Sequence, residues 1–188
     1  MSTKKIIRWS GLFQILGAAF FGTAVIMISF TPVTHEALST TTSLLFLLLS
    51  ICWLLSFPAM YARQADTAGW LGLTGHALLQ TGILLFVVVA STPLLYPSFK
   101  ADAGESRVVL LLGLVFFLGL LLTGIATLRA RVFPRWSGIL LLASTVGFVF
   151  DFFIAEFLPV IARQVGAAAL AVVLALALAW IGLSMWRS

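Results

Sequence analysis

The sequence predicts an all-α, polytopic membrane protein: a six-transmembrane-helix bundle forming a single domain over residues 1–188. Three observations carry that expectation. Six apolar stretches each come near bilayer length, charged residues gather in the gaps between them, and the composition lies outside the soluble range. A crossing helix needs about 20 mostly apolar residues at a rise of 1.5 Å each. Hydrophobic residues make up 62% of the chain and charged residues 9%, with a mean hydropathy of +1.16, so no soluble domain finds room here. The longest gap, Ser91 to Ser106, is too short to bury a core of its own.

The first stretch, 9–30, follows Lys4, Lys5 and Arg8. It is long for the apolar region of a signal peptide, and no convincing small-x-small cleavage site precedes Pro32, so it reads as a retained helix. The second, 42–61, contains Pro58, deep enough to bend a helix, and the lone Cys52, which has no cysteine to pair with and reads as a small packing residue. The third, 69–91, opens Gly69-Trp70-Leu71-Gly72 and carries His76 and Gln80. The fourth, 108–128, ends at Arg129. The fifth, 136–158, opens Trp136-Ser137-Gly138 and carries Asp151, and the sixth, 165–186, ends at Arg187.

These stretches suggest three repeated helical hairpins. Odd helices begin with a W-x-G element at Trp9, Trp70 and Trp136 and run to Pro32, Pro93 and Pro159. Even helices return to Arg63, Arg129 and Arg187, each with Pro58, Gly124 or Gly182 five residues earlier. Tryptophan anchors at the headgroup level, proline stops a helix, and glycine lets helices approach closely. Any hairpin protein could converge on these choices, so the pattern leaves both triplication and convergence open. Triplication would arrange the hairpins around a pseudo-threefold axis along the membrane normal.

A net charge of +5 would suggest a nucleic-acid partner in a soluble protein. Here the basic residues flank membrane segments, so no nucleic acid is expected and the charges set orientation instead. With the N-terminus cytoplasmic, that side holds Lys4, Lys5, Arg8, Arg63, Arg129, Arg131, Arg135 and Arg187, against Lys100, Arg107 and Arg163 outside. The positive-inside rule then places both chain ends in the cytoplasm.

Three two-helix units are also found in mitochondrial carriers, but their proline-acidic-basic signature is missing: Pro32 is followed by Val33-Thr34-His35-Glu36 and Pro93 by Leu94-Leu95-Tyr96-Pro97. Two segments match better elsewhere. Met60-Tyr61-Ala62-Arg63-Gln64 leading into Gly69-Trp70-Leu71-Gly72-Leu73, and Leu128-Arg129-Ala130-Arg131-Val132-Phe133-Pro134-Arg135-Trp136-Ser137-Gly138, resemble a group of bacterial six-helix integral membrane proteins of unknown function. That resemblance implies a location in the cell inner (cytoplasmic) membrane and no particular activity.

Polar residues inside a membrane are costly and mark candidate sites. Asp151 stands among phenylalanines, about 22 Å beyond Trp136 and so in the outer part of the membrane. It could carry a proton, hold a cationic ligand or bond to a neighbouring helix. His76 and Gln80 are one turn apart on one face of the third stretch, and Gln14 lies at similar inner depth on the first. Asp151, His76, Gln80 and Gln14 are the candidate ligand-binding residues. His35, Glu36 and Glu156 form a candidate outer polar cluster, although Glu156 is about 140° around the helix from Asp151 and the two carboxylates share no face. His35-Glu36 is not continued into H-E-x-x-H, no other catalytic or metal motif is present, and neither a metal nor a cofactor is expected.

Three classes of function fit these residues. A protein binding a hydrophobic or amphiphilic small molecule, or a membrane partner, suits the scarcity of charge, because sixteen phenylalanines could line an apolar cavity. A small oligomeric transporter or channel would run past Asp151 or the His76/Gln80 face. An intramembrane lipid-modifying enzyme would need His35, Glu36, Asp151 and Glu156 as its acid–base set. The first is expected, and an enzyme is not.

Overall fold

The computed structural model describes residues 3–30, 37–95, 103–154 and 157–187. All the regular structure among them is helical: α1 (Thr3–Phe30), α2 (Ala37–Leu95), α3 (Ala103–Ala130), α4 (Arg135–Ile154) and α5 (Val160–Trp186). Four regions, within α1, α2, α3 and α5, are long and apolar enough to cross a membrane. The chain is a multi-pass membrane protein on that evidence.

Five helices stand among the described residues where six were expected. The second and third stretches are joined within α2, because residues 62–68 continue the helix instead of forming a loop. Ala62, Arg63, Gln64, Ala65 and Ala68 are all good helix formers. Only Gly69 departs from helical geometry, at φ 59° and ψ −154°, a backbone region that is essentially reserved for glycine. This one residue turns the chain back on itself. Tyr61 before the break stacks on His76 after it, with ring centroids 5.0 Å apart, and Trp53 and Ile83 line the same cleft. The arms 37–68 and 70–95 therefore lie antiparallel.

Small residues set the distances between helices. A Cβ on Gly119 of α3 would stand 2.5 Å from the backbone nitrogen of Leu79, and one on Gly75 of α2 would stand 2.8 Å from the nitrogen of Thr123. In α1 a Cβ on Gly11 would meet the Gly182 carbonyl oxygen of α5 at 2.5 Å. The first and last helices are thus in backbone contact, which closes the bundle. The core fills the middle with Trp53, Phe57 and Met60 of α2, Leu120 of α3, Leu141 of α4 and Leu178 of α5.

The three W-x-G elements share a direction but not an environment. Their tryptophans are exposed, at 50% for Trp9, 76% for Trp70 and 65% for Trp136, while their glycines are buried. Gly11 lies against Gly182 and Trp186 of α5, Gly72 against Ala68 of its own helix and Ala126 of α3, and Gly138 against Leu128 of α3. The repetition of a hairpin, which the sequence left open, does not extend to the packing. Each glycine answers to whichever neighbour the fold supplies.

Hydroxyl groups inside the bundle mostly satisfy their own helices. Ser50 Oγ donates to the Phe46 carbonyl at 2.7 Å, and Ser144 Oγ and Thr145 Oγ1 both donate to the Leu141 carbonyl, at 3.0 and 2.6 Å. Pro58 has no N–H to offer the helix, and close to that gap the Leu55 carbonyl accepts a bond from Ser10 Oγ of α1 at 3.4 Å.

Candidate functional site: polar inclusions and an aromatic cleft

The sequence-predicted site residues that are described each have their own surroundings and do not converge. Gln14 is fully buried where α1 meets α2 and α5. Its Oε1 accepts a short hydrogen bond from Ser56 Oγ, while its Nε2 has no partner among the described residues. His76 is half-buried and stacked on Tyr61. Gln80, one turn further along the same arm, has a buried Nε2 without a partner. No hydrogen bond joins Gln14 to either of them.

Asp151 is partly exposed near the end of α4. Its Oδ1 faces α5, where a Cβ on Gly166 would stand 3.7 Å away, an ordinary contact. His35, Glu36 and Glu156, the outer polar cluster, lie outside the described residues. Among the described residues, no three His, Cys, Asp or Glu side chains lie close enough together to hold a metal ion.

The structure adds polar residues that sequence reasoning treated only as topology markers. Gln64 is 1% exposed; its Oε1 accepts a bond from Thr127 Oγ1 of α3 at 3.3 Å, and its backbone carbonyl accepts Thr67 Oγ1 at 3.2 Å. Arg63 reaches in the opposite direction. Its guanidinium donates to the Ser184 carbonyl of α5 at 3.3 Å and covers the Phe133 ring at 5.4 Å, joining α2, the 131–134 turn and α5. Spacing gave no signal for either contact, since both depend on which helices become neighbours.

The second missed feature is a cleft in the aromatic core. Phe21 of α1, Phe46 and Trp53 on the first arm of α2, Phe86 on the second arm and Phe116 of α3 converge on it, with Ser50 the one polar side chain in the lining. Trp53 organises the group. It stacks on Phe116 at 6.0 Å and 12°, and meets Phe21 at 5.5 Å and Phe57 at 5.8 Å. Gly17 makes room for the indole, because a Cβ there would stand 2.5 Å from Trp53 Nε1. That buried N–H has no hydrogen-bond partner among the described residues, an uncommon and costly state for an indole donor.

The enclosed part of the cleft is about 30 Å³, room for a single water or a methyl-sized group. It is open on one side, beside the half-buried rings of Phe46 and Phe86. Such a space suits the end of a chain or the edge of a ring, with the rest of the molecule outside. Comparison with protein-family profiles, with characterised proteins and with solved structures finds no match to this chain.

Proposed function

We propose that this is an integral protein of a bacterial inner membrane that binds a hydrophobic or amphiphilic small molecule in the bundle, at the aromatic cleft around Trp53. It crosses the membrane six times with both chain ends cytoplasmic, through α1, the two arms of α2, α3, the 20-residue α4 and α5, each with the about 20 residues or more that one crossing needs. The eight-to-three distribution of basic residues supports the orientation. The resemblance of its turn segments to bacterial six-helix membrane proteins supports the location.

One observation carries the binding reading. Four helical segments bring five aromatic rings to a gap in the core, beside a buried indole N–H with no acceptor among the described residues. Such a gap costs dispersion contacts unless something fills it. A chain-bearing amphiphile entering sideways from the bilayer would fill it and could present an acceptor to the indole.

Native mass spectrometry of protein released from lipid nanodiscs tests this. The wild type should retain a specific small molecule, and Leu49→Phe, which pushes an extra ring edge into the gap, should lose it while staying folded. His76→Ala should retain it, because His76 does not line the cleft. A wild type released empty, or a Leu49→Phe variant that keeps the molecule, would overturn the reading.

A further inference from the structure

A second cavity lies at the end of the bundle where the basic residues gather. Its volume is about 240 Å³, and its walls are Pro134, just before α4, and Trp180, Leu183, Ser184 and Arg187 at the end of α5. This is below the about 300–1,000 Å³ of a whole small-molecule site, but large enough for a polar headgroup. The lining is mixed: a guanidinium and a hydroxyl on one side, an indole, a leucine and a proline on the other. Among the described residues it contains no acidic side chain.

We infer that this cavity binds the phosphate-bearing headgroup of an anionic phospholipid, with Arg187 as the anion ligand and Trp180 packing against the glycerol and upper acyl region. This inference is independent of the aromatic cleft and rests only on the chain being embedded in a membrane. Three features of the cavity point to a phosphate.

First, the exposed Arg187 guanidinium presents the forked donors that match phosphate oxygens. Second, Pro134 places the cavity beside the amino-terminal end of α4, where the helix dipole is positive and favours an anion. Third, the unfavourable end of α5 is masked. Carbonyl oxygens of a last helical turn would repel phosphate, but Arg63 donates to the Ser184 carbonyl and the Arg187 backbone N–H donates to that of Leu183 at 3.1 Å. A negative potential at that wall is thereby offset by a second guanidinium from α2.

Trp180 argues for a lipid over a free anion. It is 48% exposed one helical turn before Ser184, so an apolar face and an indole N–H adjoin the cationic corner. Inorganic phosphate has no use for that face. A glycerophospholipid has a chain to lay along it.

The test is native mass spectrometry of detergent-purified full-length protein titrated with dioleoyl phosphatidylglycerol, with dioleoyl phosphatidylcholine and inorganic phosphate as comparison ligands. Phosphatidylglycerol should bind with defined stoichiometry, and Arg187→Gln should weaken it about tenfold, with Arg187→Lys in between. Trp180→Ala, which changes no charge, should also weaken it. Arg129→Gln removes an exposed cation from the same end of the bundle without touching the cavity, and should leave binding within about twofold. Thermal unfolding of each variant confirms that it is folded. Equal losses in Arg129→Gln and Arg187→Gln would mean general charge attraction and would overturn the site. Phosphatidylcholine binding as tightly as phosphatidylglycerol would overturn the anion, and displacement by equimolar inorganic phosphate would overturn the lipid.

Discussion

Gln14 and Ser56 show how a buried polar residue behaves when hydrocarbon surrounds the protein. Ser56 has two acceptors, Gln14 Oε1 and the Trp53 carbonyl at 3.3 Å, whereas among the described residues the Gln14 amide has only Ser56. Removing the hydroxyl therefore strands the whole amide, while removing the amide strands nothing. We expect Ser56→Ala to destabilise the protein by about 1 kcal/mol and Gln14→Leu, which also eliminates an unpartnered donor, to cost less. Thermal unfolding in detergent would show the order, and the reverse order would refute the assignment of the bond. Sequence alone marked Gln14 as noteworthy because a polar residue stood within an apolar run. It could not find the partner, because serines are common in this chain and only the approach of α1 to α2 selects Ser56. The same reason hid Gln64 and Arg63, whose neighbours Thr127 and Ser184 lie far along the chain.

Helix pairs in this protein are decided by glycine. Where α3 crosses α2, Gly119 and Gly75 bring the backbones so close that any side chain would force them apart. Gly119→Ala should therefore cost about 1–3 kcal/mol. Gly113→Ala, on the same helix with its nearest contact at 3.9 Å, should be neutral or slightly stabilising, since alanine is the better helix former. A chemical unfolding series comparing the two would detect the contrast, and equal effects would argue against close packing at Gly119. Gly69 is a different case. Nothing lies within 4 Å of it, yet Gly69→Ala should cost about 1–3 kcal/mol through its backbone angles alone. The apolar stretches on either side of Gly69 were legible as separate runs, but the lack of a loop between them was not. Residues 62–68 look like a polar connector by composition and behave as helix by propensity, and a single glycine makes the turn that a loop was expected to make.

At the scale of the whole molecule, the contact of α1 with α5 through Gly11 and Gly182 closes the bundle and gathers residues 3–8, 63–70, 129–136 and 184–187 at one end. The number of crossings then has a parity that can be measured. In a Cys52→Ala background, Lys4→Cys and Arg187→Cys should react with a membrane-impermeant thiol reagent from the same side, the cytoplasm. Reaction from opposite sides would mean an odd number of crossings and would defeat the folded-back reading of α2. The sequence by itself determined that the protein is helical and embedded in a membrane, where its apolar runs lie and at which ends its charges collect, because these follow from transfer free energies of residues near one another in the chain. It also marked the three W-x-G starts, whose tryptophans the structure leaves exposed. Only the tertiary structure decided which helices are neighbours, that α2 doubles back at one residue, that the hairpins do not repeat in their packing, and where the aromatic cleft and the basic cavity form. Those features depend on the fit of glycines and rings from distant parts of the chain, and one stretch of sequence holds no record of what it will pack against.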